Sequence, residues 1–405
     1  MKVLIINGDC ITTNSSANLC HLAYIKGLVD SGYEVTLLSA DGRDYICDES
    51  MVIPTEVRHY TYYGVSFYEK MSLKKKNNSE ANVNQSVEQK SEKDVQNVKS
   101  VVIKKAKEWV LSFYGVHGIY AKFVKKANKF KSDEEFDYVL SISTPPSSHL
   151  IAHDLLKSKH IVAKKWIQIW EDPWYSDAYG FNGKDKIYKE EKKLLSFAER
   201  VCYVSPLTLA NQKKLFPESA NKMFWKPLPF YYKSTYTDDC SYTINQYGYF
   251  GDYIPIARDL EPFYNAAKCL NINVNICGRP NNLFNSTNKI KTYPRLNLDE
   301  LKPIEDKTNV LIFLCNKKGG QIPGKIYQYS ATNKTILFIL DGTNEEKKVL
   351  KEYFEPFNRY VFCENTVQDI TRAINQIENN DLGNISNAPI DAFNPQTTIK
   401  KILEG

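Results

Sequence analysis

The sequence predicts an α/β fold with two tandem Rossmann-like, doubly wound domains. Three features predict it: a length of 405 residues, short apolar runs alternating with helix-like segments, and a break in that alternation near Leu228–Asp239. A chain of this length suits two domains of about 100–200 residues each. Apolar runs separated by helices are typical of parallel strands buried on both faces. Two such domains in tandem place a cleft at the carboxyl ends of their strands.

The first half opens with a βαβ unit. Val3–Ile6 is an apolar strand run, and Asn14–Asp30 carries apolar residues at helical spacing, with Ser15 or Ser16 as its cap. Glu34–Ser39 is the second predicted strand. Further strands and helices are predicted, in chain order, at Tyr138–Ser141, a helix ending at Lys157, Trp166–Trp170, Lys184–Phe197, Val201–Val204 and Pro206–Leu215.

Residues 74–100 interrupt this pattern, because they contain almost no large apolar side chain. Such a segment cannot bury enough surface to offset the entropy of ordering, so it is predicted to be a mobile polar insert. Val101–Phe130 follows as one or two amphipathic helices. The segment Lys99–Lys131 is rich in lysine. Its nine lysines are at positions 99, 104, 105, 107, 122, 125, 126, 129 and 131.

A second α/β unit begins at Tyr247, so the N-terminal domain is predicted to span 1–235 and the C-terminal domain 245–385. Residues 386–405 are predicted to form a C-terminal helix that packs back on the N-terminal domain. The strands and helices expected in this half are Tyr247–Phe250, Leu260–Leu270, Asn273–Cys277, Asn309–Leu314, Gly324–Ala331, Thr335–Leu340, Thr366–Ile377 and Thr398–Leu403.

Composition excludes several classes of protein. No apolar run approaches the roughly 18 residues that span a bilayer, and the apolar run at Met1–Ile6 is too short for a secretory signal. The nine cysteines are odd in number and lack a Cys-x-x-Cys pair, which favours reduced thiols in the cytoplasm over disulfides or zinc. A net charge of +6 without a recognition motif argues against nucleic acid as a partner.

Four segments of the second domain follow predicted strands and would meet at one sheet edge. Gly251 lies in a glycine turn, and Arg258 follows it near a helix start, which suits an anionic diphosphate. A plain turn with a surface arginine is the alternative. The other three segments contain Gly278, the extended Tyr293–Leu296 with Arg295, and the Gly/Pro loop that runs through Gly324 and Lys325 into a short helix. A bound phosphate would relieve the conflict between Lys325 and the helix dipole.

In this order, the four segments resemble the donor half of GT-B glycosyltransferases, in particular glycosyltransferase family 4 and its relatives in surface-polysaccharide synthesis. The resemblance extends over essentially the whole chain and includes Gly8–Ser16, Ser143-Thr-Pro-Pro and Asp172-Pro-Trp174. Its most specific part is Pro323-Gly-Lys-Ile-Tyr-Gln-Tyr-Ser-Ala331, where relatives typically read Pro-x-Lys-Leu-x-Glu-Tyr-x-Ala.

The chain departs from this family at two glutamates, whose positions are occupied by Gly320 and Gln328. In the family the first contacts the donor sugar and the second the nucleotide ribose. The amide of Gln328 can still bond to ribose hydroxyls, whereas Gly320 replaces no carboxylate. The resemblance therefore leaves the donor sugar, the nucleotide and the stereochemistry of transfer open.

The resemblance also implies that Asp9, Asn14 and Ser15 face the acceptor. Two residues are candidate bases for an acceptor hydroxyl. Asp172 ends a buried strand and is preferred if the enzyme inverts, while His149 lies in a first helical turn predicted to face the cleft. A helix-capping or core histidine is the alternative for His149. No cluster of histidines, cysteines or carboxylates has metal-ligand spacing, so no metal is expected; by resemblance, arginine, lysine and helix dipoles stabilise the leaving diphosphate.

The resemblance thus implies a metal-independent glycosyltransferase without a cofactor, which moves a sugar from a nucleotide-diphosphate sugar to a hydroxyl of a glycan or polyprenyl-linked acceptor. Two alternatives stay open: a non-hydrolysing nucleotide-sugar epimerase, which would normally show more than the six histidines here, and a degenerate GT-B scaffold partner. A cytoplasmic protein is expected, with peripheral contact to the inner membrane face through Lys99–Lys131 and its aromatic side chains. The aromatic side chains are those of Trp109, Phe113, Tyr114 and Phe123. The alternative is that they face the protein core and the lysines form a solvated face.

Overall fold

The computed structural model describes residues 1–66, 69–71, 73, 115–177, 184–234, 245–280 and 283–404. The predicted polar insert at 74–100 lies outside the described residues, as do Trp109, Phe113 and Tyr114. The described part forms two sheets with flanking helices.

The first sheet has seven strands in the order β3-β2-β1-β4-β5-β6-β7. Where the register is defined, between β1 and β2, β2 and β3, β1 and β4, and β4 and β5, pairing is parallel. The strands are β1 Lys2–Asn7, β2 Glu34–Ala40, β3 Arg58–Tyr62, β4 Glu135–Ser143, β5 Val162–Trp170, β6 Arg200–Tyr203 and β7 Met223–Trp225. The helices between them are α1 Ser16–Asp30, α2 Ala121–Ala127, α3 Ser147–Lys157, α4 Lys184–Phe197 and α5 Pro206–Leu215.

The second sheet has six parallel strands in the order β10-β9-β8-β11-β12-β13. They are β8 Gln246–Phe250, β9 Asn273–Cys277, β10 Ile290–Tyr293, β11 Val310–Leu314, β12 Thr335–Leu340 and β13 Tyr360–Glu364. The helices of this half are α6 Glu261–Leu270, α7 Leu298–Asp306, α8 Lys325–Ser330, α9 Asn344–Phe354, α10 Val367–Glu378 and α11 Pro395–Glu404.

The strand order reverses once in each sheet, between β1 and β4 and between β8 and β11. This is the order of a Rossmann-like sheet, and the predicted fold class is confirmed. In such a sheet the crevice at the reversal, outside the carboxyl ends of the strands, is where ligands bind. The loops after β1 and β4, and those after β8 and β11, border these crevices.

Chain contacts divide the molecule into two compact units. The first comprises Met1–Tyr175, Gly180–Cys202 and Glu218–Met223, and the second comprises Ser176–Tyr179, Tyr203–Pro217 and Phe224–Gly405. Each has an apolar core: Val3–Ile6 is fully buried in the first, while Phe263, Ile312 and Leu337 belong to the core cluster of the second. Residues 235–244, where the domain boundary is predicted, lie outside the described residues. Helix α11 groups with the second unit, and its packing on the N-terminal domain stays a prediction.

Most predicted elements are confirmed, several of them to the residue: α4, α5, β9 and β12 have the predicted bounds. The prediction missed β3, whose residues Arg58-His-Tyr-Thr-Tyr62 are mostly exposed and show no apolar pattern. This strand lies at the edge of its sheet, so its pairing depends on β2 alone. Four other elements were missed as well: β7, β10, α9 and β13. Two of them carried a signal in the sequence, since β13 is an apolar run and α9 begins with a capping box.

Only part of the lysine-rich segment is described. In α2 the side chain of Phe123 is 3% exposed, so for this aromatic the core-facing alternative is correct. The lysines at 122, 125, 126, 129 and 131 are exposed. Among the described residues, no helix has both the length and the apolar character that a membrane span requires.

Candidate functional site

The loops at the carboxyl edge of the second sheet are joined by their backbones. The amide of Gly251, after β8, donates to the carbonyl of Cys277 at 2.9 Å, and the amide of Gly278, after β9, donates to that of Tyr293 at 3.2 Å. A Cβ on Gly278 would lie 1.9 Å from the carbonyl oxygen of Gly251. Only glycine permits this approach, so the two predicted glycine turns form one surface.

Arg258 is held beside the reversal of strand order by neutral oxygens. Its Nε donates to Oδ1 of Asn316 at 2.7 Å, and its Nη1 donates to the carbonyl of Asp252 at 3.2 Å. Asn316 follows β11, and its own Nδ2 donates to the carbonyl of Gln321 at 3.1 Å. No carboxylate of the described residues forms an ion pair with Arg258. The guanidinium is therefore positioned by hydrogen bonds while its charge stays available to an anion.

Asp252 links two further predicted site segments. Its Oδ1 accepts the amide hydrogen of Arg279 at 3.1 Å, and its Oδ2 lies 3.6 Å from Nη1 of Arg295. The structure thus brings together Gly251, Arg258, Gly278 and Arg295, as the sequence predicts. Arg295 remains about half exposed, at 47% of its side chain.

Lys325 is the first residue of α8, directly after Gly324. Its Nζ lies 3.7 Å from Oε1 of Glu305, so this lysine has a carboxylate partner on α7. Burial, and to a smaller extent the charge of Glu305, raises the pKa of the Cys277 thiol to about 12. The charge of Lys325 acts in the opposite direction. Lys325 therefore lies close to the end of β9.

The two positions that depart from the family have local explanations. Gly320 has φ +68°, its carbonyl accepts the hydroxyl hydrogen of Ser205 at 2.5 Å, and a Cβ there would lie 2.7 Å from Cβ of Leu207. A glutamate does not fit this backbone. The amide of Gln328 is engaged at both ends, because its Oε1 accepts from the amide of Tyr231 at 2.9 Å and its Nε2 donates to the carbonyl of Tyr232 at 2.7 Å. These two bonds use one lone pair of Oε1 and one hydrogen of Nε2, and leave the second of each.

At the carboxyl edge of the first sheet, three polar side chains form a buried row. Asn7 ends β1, and its Oδ1 lies 2.8 Å from Nδ1 of His21 on α1. Nε2 of the same imidazole lies 3.3 Å from Oε2 of Glu171, which directly follows β5. Because the Asn7 amide donates to the carbonyl of Asp9, its Oδ1 is the acceptor, and Nδ1 of His21 carries the proton. The row thus joins β1, α1 and the residue that follows β5.

Burial governs the chemistry of this row. His21 is fully buried and the side chain of Glu171 is 7% exposed. Burial raises the pKa of Glu171, and the facing His21 partly offsets this. Burial, with the nearby charges of Glu171 and Asp172, also raises the pKa of the Cys20 thiol well above its usual range.

Asp172 is exposed, unlike its neighbour Glu171, and its Oδ2 lies 3.5 Å from the Thr144 hydroxyl. Glu191 on α4 binds the backbone of the loop that contains Asp172. The Glu191 carboxylate accepts the amide hydrogen of Tyr175 at 2.6 Å, and that of Trp174 as well. Since Glu191 is fully buried, desolvation raises its pKa to about 7 despite these two bonds.

The predicted acceptor-side residues are all tied to local partners. Oδ1 of Asp9 accepts the amide hydrogen of Cys10 at 2.7 Å, and Nδ2 of Asn14 donates to Oδ2 of Asp48 at 2.8 Å. Ser15 is the N-cap of α1, with its hydroxyl oxygen accepting from the amide of Asn18 at 3.1 Å. These contacts fix the shape of the loop after β1. A role toward an acceptor stays a prediction for all three.

His149 does not face solvent, contrary to the expectation for a base. It is fully buried, its ring packs on Trp170 with centroids 4.2 Å apart, and its Nδ1 lies 2.7 Å from the Ser141 hydroxyl. Burial lowers its pKa well below the usual value, which keeps the ring neutral. The alternative of a core histidine describes it correctly.

Sequence reasoning missed three polar residues that shape these edges: His21, Glu191 and Asn316. A signal existed for His21, because it lies four and seven residues before Ile25 and Leu28 on the apolar face of α1. Glu191 and Asn316 carry no such signal, since their partners are backbone groups and an arginine distant in sequence. No group of three or more potential metal ligands occurs among the described residues.

Solved structures similar to this chain share its two-sheet fold. The catalytic domain of starch synthase IV from Arabidopsis thaliana, bound to ADP and acarbose, is 8% identical, with 100% of this chain and 95% of that one covered and a TM-score of 0.58. Sucrose-phosphate synthase from Thermosynechococcus elongatus is 9% identical, with coverage of 100% and 94% and a TM-score of 0.54. MnaA of S. aureus with UDP is 11% identical, with coverage of 99% and 94% and a TM-score of 0.50.

No protein-family model matches the chain, and no curated protein sequence matches it. The structural likeness therefore shows the fold, that of the GT-B glycosyltransferases, and not the reaction.

Glu191 predicts a specific dependence of stability on pH. Its folded-state pKa of about 7 exceeds the usual 4.5, so the folded protein binds a proton there more tightly than the unfolded chain does. The protonated Glu191 therefore contributes to the free energy of unfolding. This contribution is fully present below pH 4.5 and is lost as pH rises to about 7. One pKa unit corresponds to about 1.4 kcal/mol, so the free energy of unfolding should fall by about 3 kcal/mol over this pH range. We expect Glu191→Gln, which cannot ionise, to be more stable than the wild type at pH 8.

Urea denaturation at pH 5 and pH 8 measures the difference between variant and wild type. The gain in free energy of unfolding should be larger at pH 8 than at pH 5. The matched control is Glu352→Gln, at a side chain that is 64% exposed on α9, for which no such pH-dependent difference is expected. An equal effect of Glu191→Gln at both pH values would contradict the assignment.

Proposed function

We propose that this protein is a glycosyltransferase that moves a sugar from a nucleotide-diphosphate sugar to an acceptor hydroxyl. The observation that carries the proposal is Arg258, held by Asn316 and the Asp252 carbonyl at the strand reversal of the second sheet, with no carboxylate partner among the described residues. An oriented guanidinium whose charge is not paired with a carboxylate of the described residues is a fitting partner for a diphosphate. The GT-B fold supports the same interpretation, as fold-level analogy.

In this proposal each residue has a defined role. Arg258 and Lys325 stabilise the negative charge that develops on the diphosphate as its bond to the anomeric carbon breaks. Asp172, the exposed carboxylate after β5, accepts the proton of the acceptor hydroxyl as its oxygen attacks that carbon. Glu191 positions the Asp172 loop. A single displacement of this kind inverts the anomeric configuration, which agrees with the absence of a carboxylate at Gly320.

We further propose an acceptor that is a glycan or a polyprenyl-linked glycan in surface-polysaccharide synthesis. The support is the resemblance of Pro323–Ala331 to the donor motif of glycosyltransferase family 4. Cytoplasmic location and peripheral contact with the inner membrane face belong to the same proposal. The exposed lysines of α2 and the residues after it are compatible with an anionic surface, and Phe123 does not take part because it is buried.

Nucleotide binding tests the proposal directly. Isothermal titration with UDP, GDP, ADP and TDP should identify one nucleotide that binds. A charge-assisted contact is worth about 1.5–3 kcal/mol, so Arg258→Ala and Lys325→Ala should each weaken binding about tenfold to a hundredfold. Arg258→Lys should recover part of the loss. The control is Arg372→Ala on α10, whose side chain is 73% exposed and pairs with Asp369.

Unchanged affinity in both alanine variants would refute the donor site, provided that their thermal unfolding matches the wild type. Donor turnover distinguishes the alternatives. Consumption of the nucleotide sugar with a changed sugar configuration and no acceptor would indicate an epimerase, and binding without any turnover would indicate a scaffold partner.

Transfer should need no divalent metal. The described residues offer no group of three potential metal ligands, and Arg258 and Lys325 supply positive charge for the leaving diphosphate. Donor binding and transfer should therefore be the same in EDTA as in buffer with manganese or magnesium. Loss of activity in EDTA that manganese restores would contradict this prediction.

Asp172→Asn should lower turnover far more than donor affinity, because only the proton acceptor is lost. The loss expected for a general base is about 10²–10⁴-fold, measured as release of the nucleotide diphosphate. Asp30→Asn, at a surface carboxylate that pairs with Lys26 on α1, is the matched control. Wild-type turnover in Asp172→Asn would refute the role of this carboxylate as the base.

A further inference from the structure

Two cysteines far apart in sequence meet beside the loop after β1. Cys10 lies on that loop and Cys47 on the loop after β2. Thr13 and Cys47 form an antiparallel β-bridge, and the amide of Asp48 donates to the carbonyl of Thr12 at 2.9 Å. The two loops are thus joined by their backbones at this point.

A single hydroxyl lies between the two sulfurs. Oγ1 of Thr12 is 3.3 Å from Sγ of Cys10 and 3.2 Å from Sγ of Cys47. Because the Thr12 hydroxyl donates to Cys47, the thiol of Cys10 is the donor in the other contact. A continuous chain of hydrogen bonds therefore runs from the Cys10 thiol to the Cys47 sulfur.

Because Gly42 has no side chain, the small volume that its Cβ would occupy is open, and the sulfur atoms of Cys10 and Cys47 both border it. A Cβ at this position would lie 2.9 Å from Sγ of Cys47 and 3.4 Å from Sγ of Cys10. Both sulfurs therefore border the same small volume from different loops. A disulfide forms when the two side chains turn toward each other across this volume, Cys47 from the exposed side and Cys10 from the buried side.

The two thiols differ in exposure, and this sets the order in which an oxidant meets them. Cys47 is exposed, whereas Cys10 is 1% exposed, and burial raises the pKa of the Cys10 thiol to about 11. An oxidant in solution therefore reaches Cys47 first. Of the eight cysteines that the structure describes, only Cys47 and Cys269 are exposed, and Cys47 is the one with this thiol partner.

We propose that Cys10 and Cys47 form a reversible disulfide in response to a peroxide. Hydrogen peroxide oxidises the Cys47 thiol to a sulfenic acid and is reduced to water. The Cys10 sulfur then attacks the Cys47 sulfur, an S–S bond forms, and the S–O bond breaks. The proton of Cys10 leaves through the Thr12 hydroxyl and converts the departing hydroxide to a second water.

The consequence of the bond is a covalent tie between the loops after β1 and β2. The loop after β1 also carries Asp9 and Asn14, and Asn14 bonds to Asp48, the neighbour of Cys47. Oxidation would restrict both loops at this edge of the first sheet. The inference is independent of the proposed transferase activity, because it depends only on the two thiols and their surroundings.

The test treats the folded full chain with one equivalent of hydrogen peroxide and quantifies thiols. Two of the nine thiols should be lost, the mass should fall by two hydrogens, and non-reducing peptide mapping should join the peptides of Cys10 and Cys47. Dithiothreitol should reverse the change. Cys269→Ser, which removes the other exposed thiol, should leave the cross-link unaffected.

Two variants separate the steps. Cys47→Ser should abolish the cross-link, and Cys10→Ser should stop at a Cys47 sulfenic acid that dimedone traps. If either variant fails to fold, brief alkylation of the folded wild type should block Cys47 and prevent the cross-link. Oxidation of Cys47 to a sulfinic acid while Cys10 stays reduced in the wild type, or a cross-link between other cysteines, would overturn the proposal.

Discussion

Parallel pairing of strands that are buried on both faces is the constraint on which the rest of this structure depends. Strands such as β1 and β11 have no polar face, so helices must cover both sides of each sheet. Crossover helices in turn send every strand in the same direction, and all the loops that follow strands collect at one edge. The reversals of strand order, β1 to β4 and β8 to β11, open that edge to ligands.

The two edges satisfy their polar groups in opposite ways. At the first sheet, carboxylates are buried: Glu171 faces His21 and Glu191 accepts backbone amides, so both prefer the protonated form more than an exposed glutamate does. At the second sheet, the Arg258 guanidinium is bound by neutral oxygens and keeps its charge. One edge thus raises the proton affinity of its buried carboxylates, whereas the other holds a guanidinium that has no carboxylate partner among the described residues.

Close approach between backbones accounts for the glycines at these edges. Gly278 allows the turn after β9 to contact Gly251, and Gly320 allows its loop to contact Ser205 and Leu207. Gly42 has the corresponding role for the two sulfur atoms of Cys10 and Cys47. At Gly320, this packing leaves no room for a glutamate, because a side chain there would displace a neighbouring helix residue.

The sequence by itself determined most of the strands and helices and the order of the two α/β halves, because the apolar pattern of a segment shows which of its faces is buried. It also indicated Gly251, Arg258 and Gly278, since glycines and cations after strands have a recognisable position in the chain. It did not reveal β3, whose edge position needs no apolar pattern, nor the burial of His149.

Only the tertiary structure decided which polar groups meet. The pairing of His21 with Glu171, the anchoring of Tyr175 by Glu191 and the contact of Arg258 with Asn316 join residues that are distant in the chain. No local pattern encodes such pairs, because each side chain alone is compatible with solvent exposure. Desolvation, and with it the pKa of a buried carboxylate, exists only once the surrounding elements have packed.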